Sequence, residues 1–381
     1  MRHFGYLTND QSAALFAHPP QEFGAGTDRR ALAVALGATL YTPGTCQDYA
    51  ARVGRLVAEG VASSVLCLED AVADGDVGFA ERNVVRQLTA LDSVPDRPLV
   101  FVRVRHPDQV PALIKRLRAA AGALTGFVLP KFTSAGGRDY LDAVVDSGLP
   151  LYVMPVLETE AVMYAETRLA ELLAIRDLLA EYRERVLAVR IGATDLCGLY
   201  GLRRSRDLTV YDLALVRAVI ADIVNVFGRD DAYTVSGPVW EYFTNGERLL
   251  PPRLRQTPFD QRDDLPHAPS VRATLISRDM DALLHEVVLD KATGIVGKTV
   301  IHPTHVRAVH ALYAVTAEEH GDACRTLELP DGGVTASRYA NKMVESRPHA
   351  RWARQTLRRA AMFGVLQPDR TFVDLLDLED V

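Results

Sequence analysis

The sequence predicts an α/β fold, a (β/α)8 TIM barrel with a C-terminal helical extension. Short apolar segments flanked by Gly or Pro alternate with helical patterns, and eight such strand–helix units fit within about 300 residues. Polar residues recur at the carboxyl ends of these segments, where parallel α/β proteins build their sites. An open doubly wound sheet is the alternative, but it normally has fewer strands. No glycine fingerprint for dinucleotides follows the first strand.

The chain is long enough to bury one large core together with a terminal appendage. It has 381 residues, of which 48% are hydrophobic and 24% are charged. We expect an N-terminal arm over residues 1–37 and a barrel over residues 38–315 with an insertion near residues 238–269. The extension should then cover residues 316–381.

The predicted strands of the first half each follow a turn signal and end in a distinctive residue. An apolar entry helix over residues 30–36 precedes the first strand, residues 38–43. Residues 63–70 end in Glu69 and Asp70, and residues 97–105 close with Arg103 and Arg105. Residues 125–131 then end in Lys131. Helical patterns separate these segments, including one over residues 110–121.

The segment around which the chain is organised covers residues 151–196. Two apolar, β-branched runs end in Glu158 and Asp195, and each is typical of a strand buried on both faces. The residues between them have leucine and isoleucine at helical spacing, with charged residues elsewhere. This pattern predicts a strand, a crossover helix and a strand, with a carboxylate at the carboxyl end of each strand.

The last two barrel strands are predicted at residues 232–237 and 294–303. Helices are expected over residues 211–227 and 277–290, with the Pro-rich insertion between them. Residues 336–363 form a strongly basic helical pattern. Three interpretations remain open: a solvated appendage, a segment docking on the acidic barrel of a neighbouring subunit, and a nucleic-acid surface. The last is disfavoured because aromatic residues are sparse there.

Composition excludes several classes of partner. Forty-three basic and forty-nine acidic residues give a net charge of −6, which disfavours nucleic acid. The four cysteines lie far apart without metal-binding spacing and are interpreted as reduced thiols. There is no apolar signal core and no run of about 18 apolar residues, so no membrane partner is expected. These features predict a cytoplasmic protein.

Polar residues at the predicted strand ends should converge on one mouth of the barrel. They are Glu69, Asp70, Arg103, Arg105, Lys131, Glu158, Asp195, Lys298 and His302. Each has a structural interpretation as well, because such groups also cap helices or pair with one another. Glu69 and Asp70 could orient an arginine, Lys131 could be a surface lysine, and His302 is better explained by packing or helix capping.

The set is more informative than its members. Glu158 and Asp195 suit a hard divalent cation, either Mg²⁺ or, as an alternative, Mn²⁺. Such a cation takes one or two carboxylates and leaves its other coordination positions to water and substrate. Arg103 offers a planar fork for a carboxylate or carbonyl oxygen. A cation and an arginine together would stabilise an enolate, the charge that develops when a bond α or β to a carbonyl breaks.

The chain also resembles the aldolase/citrate lyase superfamily, through seven short motifs in the family's order. They are Leu40-Tyr-Thr-Pro-Gly44, Leu68-Glu-Asp-Ala-Val72, Val102-Arg103-Val104, Leu129-Pro-Lys131, Leu157-Glu158-Thr159, Gly192-Ala-Thr-Asp195-Leu196 and Gly297-Lys-Thr-Val-Ile-His-Pro303. The resemblance implies a barrel that binds Mg²⁺ through Glu158 and Asp195, with Arg103 on the substrate's oxoacid oxygens. Lys131, Glu69 and Asp70 complete the implied catalytic set, and Tyr41, Pro43 and Gly44 belong to the implied cofactor-binding loop.

The resemblance further implies reversible carbon–carbon cleavage, often of a CoA thioester, in a homo-oligomer such as a trimer or hexamer. The family usually has Asn-Arg-Pro or similar after Pro43-Gly44, whereas Thr45-Cys-Gln-Asp48 stands here, which puts CoA binding in question. The tail motif Asn341-Lys-Met-Val-Glu345 departs from the family pattern too. These departures place the chain in a divergent branch, similar to barrel lyases of tellurium-resistance and stress clusters.

Two functions therefore remain open. The first is a Mg²⁺-dependent carbon–carbon lyase acting on a small oxoacid or acyl thioester. The second is a barrel that keeps the fold but acts as a binding or biosynthetic partner in a stress-response assembly. The altered loop, the insertion and the basic tail motivate the second.

Overall fold

The computed structural model describes residues 1–243 and 280–377. The part of the predicted insertion at residues 244–269 therefore lies outside the described residues. Thirteen described strands are numbered in chain order. They are β1 Phe16–His18, β2 Ala38–Pro43, β3 Ser63–Cys67, β4 Leu99–Arg103, β5 Gly126–Leu129, β6 Tyr152–Leu157, β7 Val189–Ile191, β8 Val235–Ser236, β9 Val239–Trp240, β10 Lys298–Val300, β11 Val334–Ala336, β12 Met343–Glu345 and β13 Val365–Leu366.

Most α-helices lie between the strands. They are Asn9–Leu15, Arg29–Ala35, Tyr49–Ala58, Val77–Leu91, Gln109–Leu117, Gly137–Val145, Glu160–Met163, Ala165–Glu181, Ala193–Gly198, Ala214–Phe227, Asp281–Thr293, Thr304–Tyr313, Ala317–Glu328, Ser346–Phe363 and Phe372–Leu376. Short 3-10 helices cover Asp74–Asp76, Arg118–Ala123, Val210–Asp212 and Arg229–Asp231. In the described part of the chain, no helix is long and apolar enough to cross a membrane.

The main sheet is parallel, and its strands follow the order β8-β7-β6-β5-β4-β3-β2-β10-β9. Strands β8 and β9 stand at its two ends, yet only Gly237 and Pro238 separate them in sequence. They are two halves of one bent strand, of which the first half pairs with β7 and the second with β10. The chain thus joins both edges of the sheet, and the eight-stranded TIM barrel predicted from the sequence is confirmed.

The strands are buried because both faces are covered, which explains their nearly continuous apolar sequences. Every residue of β3 and β5 is buried, for example. The seventh strand, predicted at residues 232–237, is shorter: β8 covers Val235–Ser236, and the chain resumes as β9 after Gly237 and Pro238. The helical pattern over residues 159–186 divides into Glu160–Met163 and Ala165–Glu181, and Leu169 on its predicted apolar stripe is 56% exposed.

The C-terminal segment is less helical than its sequence pattern predicts. Strands β11 and β12 form an antiparallel hairpin, and the helix begins only at Ser346. Arginines of this helix pair with acids of the same chain: Arg351 with Asp230 at 2.8 Å and Arg358 with Asp231 at 2.8 Å. Strand β13 pairs with β1, so the two ends of the described chain meet.

Candidate active site

The polar residues that face one another at the carboxyl end of the barrel come from five consecutive strands. Because parallel strands place their carboxyl ends at the same end of a barrel, residues far apart in sequence become neighbours. This group, the mouth cluster, comprises Glu69 and Asp70 after β3, Arg103 at the end of β4, Lys131 after β5, Glu158 after β6 and Asp195 in the helix after β7.

Arg103 lies among three of the acids. Its Nη2 atom contacts the Glu69 carboxylate closely, lies 2.6 Å from Asp70 Oδ2 and lies 3.8 Å from Glu158 Oε1. Burial alone would lower the pKa of the guanidinium, but the charges of Glu158, Tyr41, Cys67 and Glu69 outweigh it and raise that pKa. All three ion pairs run through Nη2, so the acids hold the guanidinium at one of its terminal nitrogens.

Lys131 has an unusual backbone conformation, with φ at +48°. A positive φ is uncommon for a residue with a side chain, and such outliers cluster at functional sites. This conformation lets one residue serve two acids: its backbone N–H donates to Glu158 Oε1 at 2.8 Å, and its ammonium donates to Asp195 Oδ1. Although burial opposes it, the bond to Asp195 and the charges of Glu158 and Glu69 raise the pKa of the ammonium.

Glu158 is the most buried acid of the mouth cluster, with 3% of its surface exposed. Burial raises its pKa to about 7, with Arg103 opposing the rise and the charge of Asp195 adding to it. The carboxyl packs against the backbone of Gly192, where an added Cβ would lie 2.1 Å from Glu158 Oε2. Glycine is therefore required at the end of β7 for Glu158 to occupy this position.

Glu69 and Asp70 have pKa values shifted in opposite directions, although both contact Arg103. Burial raises the pKa of Glu69, and its hydrogen bond with Asp70 adds to the rise. For Asp70 burial acts in the same direction, but Glu69, Arg103 and Lys131 outweigh it and lower its pKa. Both acids contact Arg103, so the interpretation that they orient an arginine agrees with the geometry.

A cavity of about 750 Å³ opens between the strand ends. Its size falls within the range of small-molecule sites. Tyr41, Pro43, Arg103, Glu158 and Asp195 line it. Within the described residues, no group of three or more His, Cys, Asp or Glu side chains could hold a metal ion. A cation here would therefore depend on two carboxylates with water and substrate, as Mg²⁺ commonly does.

Gly44 lies behind the cavity wall, apart from Tyr41 and Pro43. An added Cβ at this position would lie 2.8 Å from the carbonyl oxygen of Cys67, so the loop can approach β3 only with glycine there. Asn83 donates to the Gly44 carbonyl at 2.7 Å and holds the same turn. The geometry gives Gly44 a packing role beside the two residues that line the cavity.

Sequence reasoning missed Arg190 and Thr299. Arg190 on β7 is 2% exposed and lines the cavity beneath the mouth cluster, with Thr299 of β10 beside it. In the pairing of β6 with β7, Val156 lies beside Arg190. Because Val156 precedes Glu158 by two residues, Arg190 lies one inward-facing position deeper in the barrel than Glu158. An arginine within an otherwise apolar predicted strand was the signal that could have identified it.

Three predicted members of the mouth lie elsewhere. Arg105 turns back to the loop after β3, where it donates to Leu68 O at 2.7 Å and to Asp74 Oδ1 at 2.6 Å. Lys298 stands at the first residue of β10 rather than at its end, fully buried against acids of the helix Asp281–Thr293. His302 hydrogen-bonds Thr304 Oγ1 at 2.7 Å and stacks on Phe243 with ring centroids 4.9 Å apart, in agreement with a packing role.

Comparisons with known proteins agree with this architecture. The model of the carbon–carbon bond lyase family of the TIM-barrel fold matches residues 30–365. The solved CitE protein of Mycobacterium tuberculosis, in complex with magnesium, acetoacetate and coenzyme A, has a TM-score of 0.50 and 20% identity, with 86% of this chain and 99% of that chain covered. A citrate lyase from Burkholderia xenovorans LB400 has a TM-score of 0.56 and 16% identity, with 90% and 96% covered. No curated protein matches.

Proposed function

Because the chain belongs to the family of carbon–carbon bond lyases with the TIM-barrel fold, we propose that it is a Mg²⁺-dependent lyase or aldolase for a small oxoacid or acyl-CoA substrate. The observation that carries the proposal is the meeting of Arg103, Glu158 and Asp195 at the open end of one cavity. Acids that hold a cation and an arginine that binds an oxyanion are what cleavage beside a carbonyl requires.

Glu158 and Asp195 are the residues that would hold the cation. Burial raises the pKa of Glu158 because it disfavours the charged carboxylate, and a divalent cation beside it would favour that charged form. The Lys131 ammonium already contacts Asp195 and lies 3.9 Å from Glu158 Oε1, so this position attracts cations. When bound, Mg²⁺ or Mn²⁺ supplies positive charge at the substrate carbonyl, where negative charge develops as the carbon–carbon bond breaks.

The remaining roles belong to the chain itself. Glu69 and Asp70 hold Nη2 of Arg103 and so orient the guanidinium before substrate arrives, and we assign its other terminal nitrogen to an oxoacid oxygen. Lys131 balances the acids and steers the anion into the cavity. Tyr41 and Pro43 form the wall against which the substrate or its thioester lies. We propose CoA only as the carrier of an acyl substrate, which would enter the cavity along that wall.

Isothermal titration of Mg²⁺ into wild type and Asp195→Asn tests the metal site. We expect at least tenfold weaker binding in the variant, because a coordinating carboxylate is lost. The matched control is Asp177→Asn, which removes the same charge from an exposed position on the helix Ala165–Glu181 and should bind as wild type does. Equal affinity of wild type and Asp195→Asn would reject the assignment.

Turnover discriminates the lyase from a barrel that acts only as a binding or biosynthetic partner. Wild type with Mg²⁺ is incubated with 3-hydroxy acids and their CoA esters, and pyruvate, oxaloacetate, glyoxylate and acetyl-CoA are measured. Product that disappears in Arg103→Ala supports the lyase, whereas no product from any substrate supports the partner role. We also propose a homo-oligomer, trimeric or hexameric, which light scattering during gel filtration measures directly.

A further inference from the structure

Arg190 is a buried cation that the reaction proposed above does not use. Its guanidinium donates to Thr299 Oγ1 at 2.5 Å and to Met154 Sδ at 3.7 Å, and lies 5.6 Å from the centroid of the Tyr41 ring. All of these partners are neutral. Among the residues that the structure describes, no carboxylate pairs with Arg190, although every other fully buried cation-bearing side chain has one: Arg204 pairs with Glu241 and Glu286, and Lys298 with Glu286 and Asp290.

A buried charge without a counter-charge is costly for the fold. Desolvation of a guanidinium is repaid only by an opposite charge or by several good hydrogen bonds. Ser236, which lies opposite Arg190 in the pairing of β7 and β8, is also buried, and its hydroxyl has no partner among the described residues. A hydroxyl without a partner therefore lies beside a guanidinium without a counter-charge in the barrel interior.

The position of Arg190 connects this charge to the cavity. Arg190 and Thr299 line the same 750 Å³ space as Arg103 and Glu158, at a deeper level. Both arginines act on the Tyr41 hydroxyl, whose pKa is raised by burial and lowered in part by Arg190 and then Arg103. A compact molecule in this cavity can therefore meet one arginine near the mouth and another at the inner end.

We propose that Arg190 and Thr299 form an inner anion subsite that accepts a second anionic group of the substrate. The substrate class is then a compact dianion, with its oxoacid end at Arg103 and a carboxylate or phosphate at Arg190. The link to a substrate rests on the proposed lyase function, whereas anion binding at Arg190 does not. A guanidinium has five N–H donors, of which Thr299 and Met154 each accept one here, and it binds either group through two parallel hydrogen bonds.

The test measures binding to the metal-free protein, so it is independent of turnover and of Mg²⁺. Malonate, inorganic phosphate and acetate are titrated into wild type, Arg190→Met and Arg190→Lys in EDTA. We expect wild type to bind malonate or phosphate at least tenfold more tightly than acetate. Arg190→Met should lose this preference, and Arg190→Lys should keep part of it. The stronger of the two dianions identifies the second group as carboxylate or phosphate.

A matched control is Arg168→Met, which removes an arginine that pairs with Asp222 outside the cavity and should retain the preference. Thermal melting supplies a second readout. Because methionine removes an uncompensated charge, Arg190→Met should melt at or above the wild-type temperature. Equal dianion affinity in wild type and Arg190→Met, no preference in wild type, or unfolding of Arg190→Met would overturn the proposal; the last would show that Arg190 is structural.

Discussion

At the scale of single residues, Arg103 differs from an ordinary surface arginine in that three acids fix its orientation. Arg103→Lys keeps the charge but loses the planar fork. We expect kcat/KM to fall about 10²-fold or more, the size of effect seen when one preorganised oxyanion donor is removed. Lys131→Met should cost less, because that ammonium balances charge rather than binding the reacting oxygen. Steady-state kinetics on the identified substrate measures both.

Thermal melting of the same variants separates catalysis from structure. Arg103→Lys should melt within a few degrees of wild type, because the ion pairs with Glu69 and Asp70 can still form. If its activity and its melting temperature both match wild type, Arg103 serves only as the structural partner of those acids.

The buried carboxyl of Glu158 makes metal binding depend on pH. Its pKa of about 7, raised by burial, means that a proton occupies the carboxyl in much of the metal-free protein below pH 7. Mg²⁺ binds the carboxylate, so the proton must leave first, and affinity should rise from pH 6 to pH 8 and level off above. Titration calorimetry in two buffers of different ionisation enthalpy measures proton release. The same affinity at pH 6 and pH 8 would contradict a coordinating role for Glu158.

At the scale of elements, a buried ion network attaches the helix Asp281–Thr293 to the barrel. Lys298 of β10 contacts Glu286 and lies 2.8 Å from Asp290 Oδ2, and all three side chains are fully buried. Lys298→Met leaves two buried acids without this partner. We expect a loss of about 3–5 kcal/mol in the free energy of unfolding, measured with urea.

The matched control is Lys342→Met. Lys342 also contacts one glutamate and one aspartate, Glu318 at 2.6 Å and Asp322 at 2.8 Å, but its side chain is 43% exposed. Solvent screens such a pair, so the loss should be about 1 kcal/mol or less. Similar losses for both variants would mean that burial does not set the strength of the Lys298 network.

At the scale of the whole molecule, two buried histidines join the start of the chain, the barrel and the C-terminal helix. His3 Nε2 donates to Ala35 O at 2.9 Å, and the Ala38 N–H donates to His310 Nε2 at 3.0 Å. The His3 ring also stacks on Phe363, with ring centroids 4.2 Å apart. The two imidazole rings lie 4.3 Å apart. Burial lowers the pKa of His3 to about 3, and burial followed by the charge of His3 lowers the pKa of His310 well below 6.5.

These lowered pKa values predict acid lability. Above pH 6.5 both imidazoles are neutral in the folded and in the unfolded protein. Below pH 6.5 these histidines take up protons only in the unfolded chain. The free energy of unfolding therefore falls as the pH falls from 6.5 towards 3. His3→Phe should lose less stability on acidification than wild type, by about 1 kcal/mol per pH unit. Urea unfolding at pH 7, 6 and 5 measures this. The control is His349→Phe, at a partly exposed position, in which the free energy of unfolding should depend on pH as in wild type. If His3→Phe showed the wild-type pH dependence as well, the assignment would be refuted.

The sequence by itself determined the fold class, the number of barrel strands and most of the polar residues at their carboxyl ends. This was possible because strands covered on both faces need continuous apolar sequence, and because the carboxyl ends of parallel strands share one end of the barrel. Arg103, Lys131, Glu158 and Asp195 could be named on this basis. Their roles in metal and substrate binding remain proposals.

Only the tertiary structure decided which polar residues meet. The sequence assigns Lys298 to the wrong end of its strand, because a short apolar run does not show where strand pairing begins. Its partners Glu286 and Asp290 lie on a separate helix. The bent strand of β8 and β9 closes the barrel through pairing with two distant segments. The sequence shows only that Arg190 is a charged residue within a strand. The anion subsite proposed for it depends on the tertiary structure, which buries Arg190 beside the cavity without a counter-charge.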